Sequence, residues 1–515
     1  MTSSELTTDP SAFLDGQGTD AVGQIETRGV DYIPQAERHS RPRELGYVFF
    51  GTQLCFGIIV LGFIPVTFGL GWWGSVSSTL VGLAVGSVLF APLALLSTRT
   101  GTNSAVSSGA HFGVVGRIIG SVVGIFTAVG FYALTVWTGG EALIAGLHKL
   151  FGLPYNDATL SVAYAVIAVI TLIVAIYGHA NVVLANRILI PSMGILLIVA
   201  VIVLAPKFHA LPAASASGLL LGHYWPTWIL SFSTAASLPI SYAPYIGDYT
   251  RYVSPVKWSQ RQVMTATAVG MFIGCAVALC FAIYVSMSFP ANITDWVVGL
   301  VDTSPTGGSV PIVLIALVGS CAQGALCVYG TGMDTSSIVP RLKRVPATIL
   351  IGILGTVLVY IGSFAYNLVS ATSSFMVLLL VVTAPWMIIN VIGYMLNHGR
   401  YYAHDLQVFN MRPHIRGGAY WFIGGWSLAG LIAWVVSTVV GMMFVNTSLF
   451  VGPWANAAGG IDFSFASALV LGALIYYVLA KLIPGSIIAP AQVSEKDDAR
   501  RLTALIESRR AGDAK

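Results

Sequence analysis

The chain has 515 residues, of which 56% are hydrophobic and only 9% charged, with a net charge of +4 and a mean hydropathy of +0.81. A soluble globular chain carries roughly a quarter charged residues, so the composition excludes an ordinary soluble domain and describes an integral membrane protein. Long apolar runs without strict alternation exclude an outer-membrane barrel. The polar opening stretch lacks the apolar core of a cleavable signal, so the first hydrophobic helix is expected to direct insertion.

The apolar stretches recur at the ~20-residue length that crosses a bilayer as helix. Twelve spans are predicted, at about 45–70, 76–98, 118–148, 159–179, 182–205, 224–247, 262–287, 310–333, 346–367, 373–397, 419–444 and 464–484. Two polar tails flank them, about 1–44 and 485–515. The first is expected to be disordered until Ile25, and the second to form a short surface helix or remain disordered. The basic residues support this count. Arg28, Arg38, Arg41 and Arg43 precede span 1; Arg99 and Arg117 follow span 2; Arg187 marks the turn between spans 4 and 5. Arg251, Lys257 and Arg261 follow span 6, Arg341, Lys343 and Arg344 follow span 8, and Arg400, Arg412 and Arg416 follow span 10. Lys149 and Lys207 fall on the other side. The positive-inside rule then places both termini in the cytoplasm.

Spans 1 and 6 carry interruptions. Span 1 holds Phe56-Gly57, Gly62 and Pro65, and exits through Gly69-Leu-Gly-Trp-Trp-Gly. Span 6, within Trp225 to Tyr252, holds Pro239 and Pro244, each of which removes a backbone donor and disfavours helix before it. Carbonyls freed at membrane depth must face protein, water or ligand. Breaks at matching places of two halves, 45–205 and 224–397, point to an inverted-repeat transporter with its site between them, and 419–484 would be two added helices. Between spans 2 and 3, Gly101 to Gly116 is too polar for a span; a short amphipathic or re-entrant segment and an ordinary loop both fit.

Polar groups inside apolar helices are costly unless they pair or line a cavity. Span 3 offers Phe131 and Thr135 on one face at i, i+4, an aromatic plane beside a hydroxyl that suits a flat hydrogen-bonding ligand. Glu141, toward the far end of span 3, reads as a paired or interface-facing acid in preference to a proton carrier. On span 8, Gln323 can donate and accept together, matching a nucleobase or amide edge. Ser320 and Cys321 lie near it, where a cation could meet backbone carbonyls and a hydroxyl. Asp248 and Arg251, at the end of span 6, read as a local ion pair or gate contact. All cysteines (Cys55, Cys275, Cys280, Cys321, Cys327) sit in apolar segments and read as free thiols. No phosphate-binding loop, HExxH or GxSxG motif is present, and no Cys/His cluster suggests a metal, so neither an enzyme nor a cofactor is expected.

Ile25-Glu-Thr-Arg-Gly-Val-Asp-Tyr-Ile-Pro-Gln-Ala-Glu-Arg38 and Gly247-Asp-Tyr-Thr-Arg-Tyr252 together resemble the nucleobase:cation symporter-1 family, purine–cytosine permease branch. Gly130-Phe-Tyr, Tyr329-Gly-Thr-Gly-Met, Ala384-Pro-Trp and Arg400-Tyr-Tyr-Ala-His-Asp-Leu also match, so the resemblance covers about 25–410. It implies an all-α fold: a LeuT-type five-plus-five inverted repeat with two further helices. It implies a secondary symporter importing a purine, pyrimidine or related heterocycle with Na+ or H+. The family's base-holding positions correspond here to Phe131, Thr135, Tyr242, Gln323 and Cys327, with Gly51 to Gln53 on helix 1. A cation site would then use Gly51, Thr52, Ser320 and Cys321. Departures shrink the hydrogen-bond set: Phe131 and Thr135 stand where Trp and an amide are common, Tyr242 replaces Trp, Cys327 replaces a second amide, and Gly393-Tyr394 stands for Asp-Tyr. A larger or less polar base analogue therefore fits as well as cytosine. The expectation is a plasma-membrane symporter, a monomer that binds no nucleic acid, whose substrate stacks between Phe131 and Tyr242. An amino-acid, amine or vitamin-precursor symporter on the same fold is the alternative.

Overall fold

A computed structural model describes residues 32–177, 179–290, 295–339, 344–365, 368–410, 416–457, 459–491 and 495–513. The Ile25–Asp31 part of the entry motif, Arg28, Arg341, Lys343 and Arg412 lie outside them. The described residues are helical, with only isolated bridges as strand pairing. Span 1 is split into α1 (Pro42–Gly51) and α2 (Phe56–Thr67), bent by 74°. Then come α3 (Gly71–Thr100), α4 (Ser104–Phe112), α5 (Ile118–Phe151), α6 (Asp157–Tyr177) and α7 (His179–Leu204). Span 6 is split into α8 (Tyr224–Ser241) and α9 (Ile246–Thr250). After it follow α10 (Gln260–Ser286), α11 (Trp296–Thr303), α12 (Thr306–Ile338), α13 (Arg344–Ala365) and α14 (Leu368–Leu396). The chain ends with α15 (Leu428–Met443), α16 (Ser464–Leu482) and α17 (Glu495–Asp513).

Eight of these helices are long and apolar enough to cross a bilayer unaided, and the bent α1–α2 pair makes a ninth. The other three expected spans are the shorter or interrupted α7, α8–α9 and α15, so twelve is compatible with the set. Two groups organise the molecule. α3 runs along α8 and α10, and α10 along α1; α5 runs along α12, which also touches α6, α7 and α13. Spans 1, 2, 6 and 7 thus pack together beside spans 3, 4, 8 and 9.

Several boundaries differ from expectation for local reasons. The break in span 1 lies at Thr52–Cys55, ahead of Phe56-Gly57. Pro65 sits at the start of a new turn after a 3-10 stretch, Val60–Phe63, where its missing N–H leaves nothing unpaired. In span 6, α8 continues through Pro239 and breaks at Tyr242–Tyr245 around Pro244. Span 11 begins only at Leu428, because Gly417, Gly418, Gly424 and Gly425 take positive φ and Phe422 joins them at 38°. Arg187 lies within α7, not in a turn. The 101–116 stretch forms α4, buried throughout, with Asn103 Oδ1 accepting from Val106 N–H at 3.0 Å.

The two motifs meet in space. Arg38 is buried and donates to the Ile33 and Thr98 carbonyls, both at 2.9 Å, while Ser40 N–H donates to Tyr252 C=O at 3.1 Å. Gly247 rests on the start of α4: a Cβ there would lie 2.3 Å from Ser104 N, and its own N–H donates to Ser104 Oγ at 2.8 Å. The C-terminal helix is docked rather than free. Tyr32 donates to Glu495, Asp498 holds His404 Nδ1 at 2.9 Å, and Arg501 lies over Tyr402 and 3.6 Å from Asp405. Burial pushes the Asp405 carboxyl above the usual carboxylate range.

Candidate functional site

The span 6 break and the facing surfaces of α1, α5 and α12 enclose a cavity of about 250 Å³. Its inner wall is Phe131 and Ala128 from α5, Tyr242 from the break, and Gln323, Leu326 and Cys327 from α12. Its mouth is Ser40, Glu44, Asp248, Arg251 and Tyr252, at the end of the bundle that carries the N-terminal segment.

Each wall residue has a local reason for its position. Phe375 packs face-on where Gly130 has no side chain, since a Cβ there would lie 2.0 Å from the ring. It also meets Phe131 edge-on at 6.2 Å, so one aromatic ring braces another against the cavity. Tyr242 is aimed inward because the helix stops one residue before it. On α12, small residues let α5 approach closely: Gly324 faces Thr135 Oγ1, and Ser320 faces Gly139.

The structure therefore gathers Phe131, Tyr242, Gln323 and Cys327 around one space, with Asp248 and Arg251 at its mouth. Gln53 and Thr135 are buried and are not cavity-lining. Gln53 donates to Thr52 Oγ1 at 3.0 Å, accepts from Cys275 Sγ at 3.4 Å and neighbours the Tyr242 hydroxyl. Thr135 donates to the Tyr132 carbonyl at 2.8 Å and lies beside Gly57 of α2. The four cation candidates are spread. Gly51 and Thr52 end α1, whereas Ser320 packs on Gly139 of α5 and Cys321 neighbours Thr171 of α6. Among the described residues no hydrogen bond or cavity joins all four. The described cysteines are free, with Cys280 and Cys327 half-buried, and no group of three metal-ligating side chains occurs among the described residues.

Sequence reasoning missed two groups. Tyr245 lines the cavity and donates to the Gly124 carbonyl. Asp334 is buried against Gly124, with Arg117, Ser121 and Asp248 as its polar neighbours. Asp334 carried a signal, an acid at the end of a membrane helix; Tyr245 stood beside Pro244 in the break.

A family model described as permease for cytosine/purines, uracil, thiamine, allantoin matches residues 32–466. YxlA of Bacillus subtilis (strain 168), whose name assigns it provisionally to the purine-cytosine permeases, is 27% identical over 471 residues, 89% of this chain and 96% of that protein. Among solved structures, Mhp1 in a closed conformation with bromovinylhydantoin bound, described as a nucleobase-cation-symport-1 family transporter, superposes with a TM-score of 0.70 at 16% identity over 92% of this chain and 98% of its own. Inward-facing Mhp1 gives 0.66 at 15%, over 92% and 97%. A substrate-bound, outward-open Na+-coupled sialic acid symporter gives 0.52 at 12%, over 87% and 91%. The fold is thus the LeuT-type one expected, and the protein is a transporter rather than an enzyme. The extent of the family match settles the classification: the chain belongs to the family of permeases for cytosine/purines, uracil, thiamine and allantoin.

Proposed function

We propose that the protein is a secondary symporter that carries a nucleobase or related flat heterocycle, with a cation, across the cytoplasmic membrane by alternating access. The observation that carries this reading is the convergence of Phe131, Tyr242 and the Gln323 carboxamide on one cavity. The aromatic faces suit a planar ring, and the carboxamide satisfies both donor and acceptor edges of a base. The hydantoin in Mhp1 and the name of YxlA support a heterocycle. Cys327 on the cavity wall is a further polar partner, and Asp248 and Arg251 serve as gate residues. Gln53 and Thr135, buried outside the cavity, would join it only when the site rearranges around a substrate.

With both termini cytoplasmic, as the basic residues require, the mouth at Ser40 and Arg251 faces the cytoplasm. The bundle of spans 1, 2, 6 and 7 rocks against spans 3, 4, 8 and 9 within the repeats 45–205 and 224–397, while 419–484 stands outside them. The coupling ion is H+ or Na+. The Na+ ligand candidates divide between Gly51 and Thr52 at the end of α1 and Ser320 and Cys321 on α12, and would meet one ion only after the two groups of helices move together. The transporting unit is the monomer.

Ligand-induced thermal stabilisation of the purified protein tests the substrate class. Cytosine, adenine, uracil, hydantoin, allantoin and an amino-acid mixture form the panel. At least one heterocycle is expected to raise the unfolding temperature; stabilisation by amino acids alone would remove the stacked-ring site.

A further inference from the structure

The end of the bundle opposite the cavity mouth carries an acid that the site described above does not use. Glu141 of α5 is 8% exposed, about 15 Å along the helix from Phe131 by the 1.5 Å rise per residue. Its carboxyl lies within hydrogen-bonding reach of the Asp295 carboxyl, and no N–H or O–H reaches Glu141 Oε2. One turn back on the same face, the buried Trp137 indole N–H neighbours the Glu141 carboxyl, and no well-formed hydrogen bond joins the two. Trp137 and Asp295 line a cavity of about 10 Å³, closed by Val60, Leu61 and Ile64 of α2.

Asp295 is the N-cap of α11, its Oδ1 accepting from Val298 N–H at 2.9 Å. That leaves its second oxygen for Glu141. At the other end of α11, Lys149 donates to the Val301 carbonyl at 2.6 Å and to the Asp302 and Ser304 carbonyls. Glu141 and Lys149 are two turns apart on α5, about 12 Å, and the eight-residue α11 has about the same length. α11 is therefore laid along α5 and clipped at both ends. The Lys149 clip matches a cation to helix-terminal carbonyls and needs no titration. The Glu141–Asp295 clip joins two carboxyls, which repel unless a proton lies between them. Across α11, Trp296 meets Phe56 of α2 at 5.9 Å and donates to the Ala282 carbonyl of α10. The clip thus sits where spans 1 and 7 meet span 3, the two groups that alternating access moves apart. The other ionisable groups nearby are Tyr155, Tyr164 and Asp157 on and before α6, and Asp302 of α11. The α2 wall is apolar.

We propose that Glu141 and Asp295 form a proton-binding site, one proton bridging the two carboxyls and fastening α11 to α5, so that closure of this end of the transporter requires a proton. Binding makes one O–H···O bridge; loss of the proton returns it to water and leaves two carboxylates that part. The transport arm of the test rests on the symporter reading; the spectroscopic arm does not.

Two variants isolate the site. D295N keeps the cap, because Asn caps as well as Asp, and E141Q keeps the shape; each supplies an amide N–H where the proton would be. Infrared spectra of the purified full-length protein should show a protonated-carboxyl stretch at neutral pH, and both variants should lose it. K149M, which loosens the other clip, should keep it. An absent band in the unmodified protein, or a band unchanged in both variants, overturns the proposal. In proteoliposomes loaded with the transported heterocycle, acid stimulation of uptake should fall by about tenfold in D295N, in the range of a one-site coupling, while substrate counterflow persists. Retained acid stimulation in both D295N and E141Q also overturns it. If no heterocycle is carried, the infrared result still decides the proton site.

Discussion

A single added methyl at Gly57 tests the geometry on which the substrate cavity depends. A Cβ there would lie 2.9 Å from Thr135 Cγ2, with Thr135 Cα next at 3.5 Å. Carbon atoms in good contact stand about 3.5–4.0 Å apart, so G57A forces α2 and α5 apart by roughly 1 Å. Overpacking of this kind costs about 1–3 kcal/mol. The offending atom is one methyl, and removing it should relieve the clash. Thr135→Ser deletes Cγ2 and keeps the hydroxyl bond to the Tyr132 carbonyl. Alone it costs about 0.8 kcal/mol for the lost methyl. The account predicts that G57A/T135S is more stable than G57A, with a coupling of about 1 kcal/mol or more between the two changes. Unfolding of the four proteins in detergent, followed by tryptophan fluorescence against denaturant, measures the cycle. Additive effects, or a G57A protein as stable as the parent, would refute the close crossing of α2 and α5.

Phe131→Ala removes one stacking face. Base–aromatic stacking is worth about 1–3 kcal/mol per base, so Kd for the bound heterocycle should rise by about 5- to 150-fold, and F131W should bind close to the parent. Gly247→Ala places a methyl 2.3 Å from the backbone nitrogen of Ser104. Stability should fall by about 3 kcal/mol, with no rescue from S97A, because the clash is with backbone; a mild G247A phenotype in thermal unfolding would contradict the packing of α9 on α4. Asp405 lies outside the spans, and burial holds its carboxyl above the usual range. Ionising it costs the folded state, so its contribution is best in acid and declines as pH rises through the raised folded value. Thermal unfolding between about pH 4 and pH 7 should show the parent losing stability relative to D405N as pH rises; a gap that widens toward acid would reverse the sign.

Sequence alone carried much of the architecture because a bilayer imposes its own length scale on apolar runs. Gln323 and Phe131 stood out because each places polar or aromatic chemistry in a helix that otherwise needs neither, whereas Tyr242 was marked only by the family resemblance. The departures come from interactions between distant segments. Nothing local in Trp296–Thr303 says that this short helix will lie along α5, since Glu141 and Lys149 are far from it in the chain. Glu495, Asp498 and Arg501 look like an ordinary charged tail until Tyr32, His404 and Asp405 are seen beneath them. The break in span 1 was placed at its glycine and proline, yet it falls at Thr52–Cys55, where Gln53 turns its carboxamide to Thr52 and Cys275. Thr135, read as a ligand contact, also stands where Gly57 of α2 and Gly324 of α12 approach α5, which its sequence neighbours do not announce. Gly247 looked like part of a signature, and its reason, a helix start at Ser104 pressed against it, lies more than a hundred residues away.

The central claim is that a flat heterocycle is carried, and uptake tests it most directly. Radiolabelled cytosine would be offered to cells lacking their own permeases, with adenine, uracil, hydantoin, allantoin and an amino-acid mixture as competitors. Parallel runs would remove Na+ or add a protonophore. The account predicts uptake that at least one heterocycle carries or inhibits, that depends on one of the two ions, and that F131A weakens. Transport of an amino acid or amine, untouched by every heterocycle and by F131A, would contradict it and leave only the fold standing.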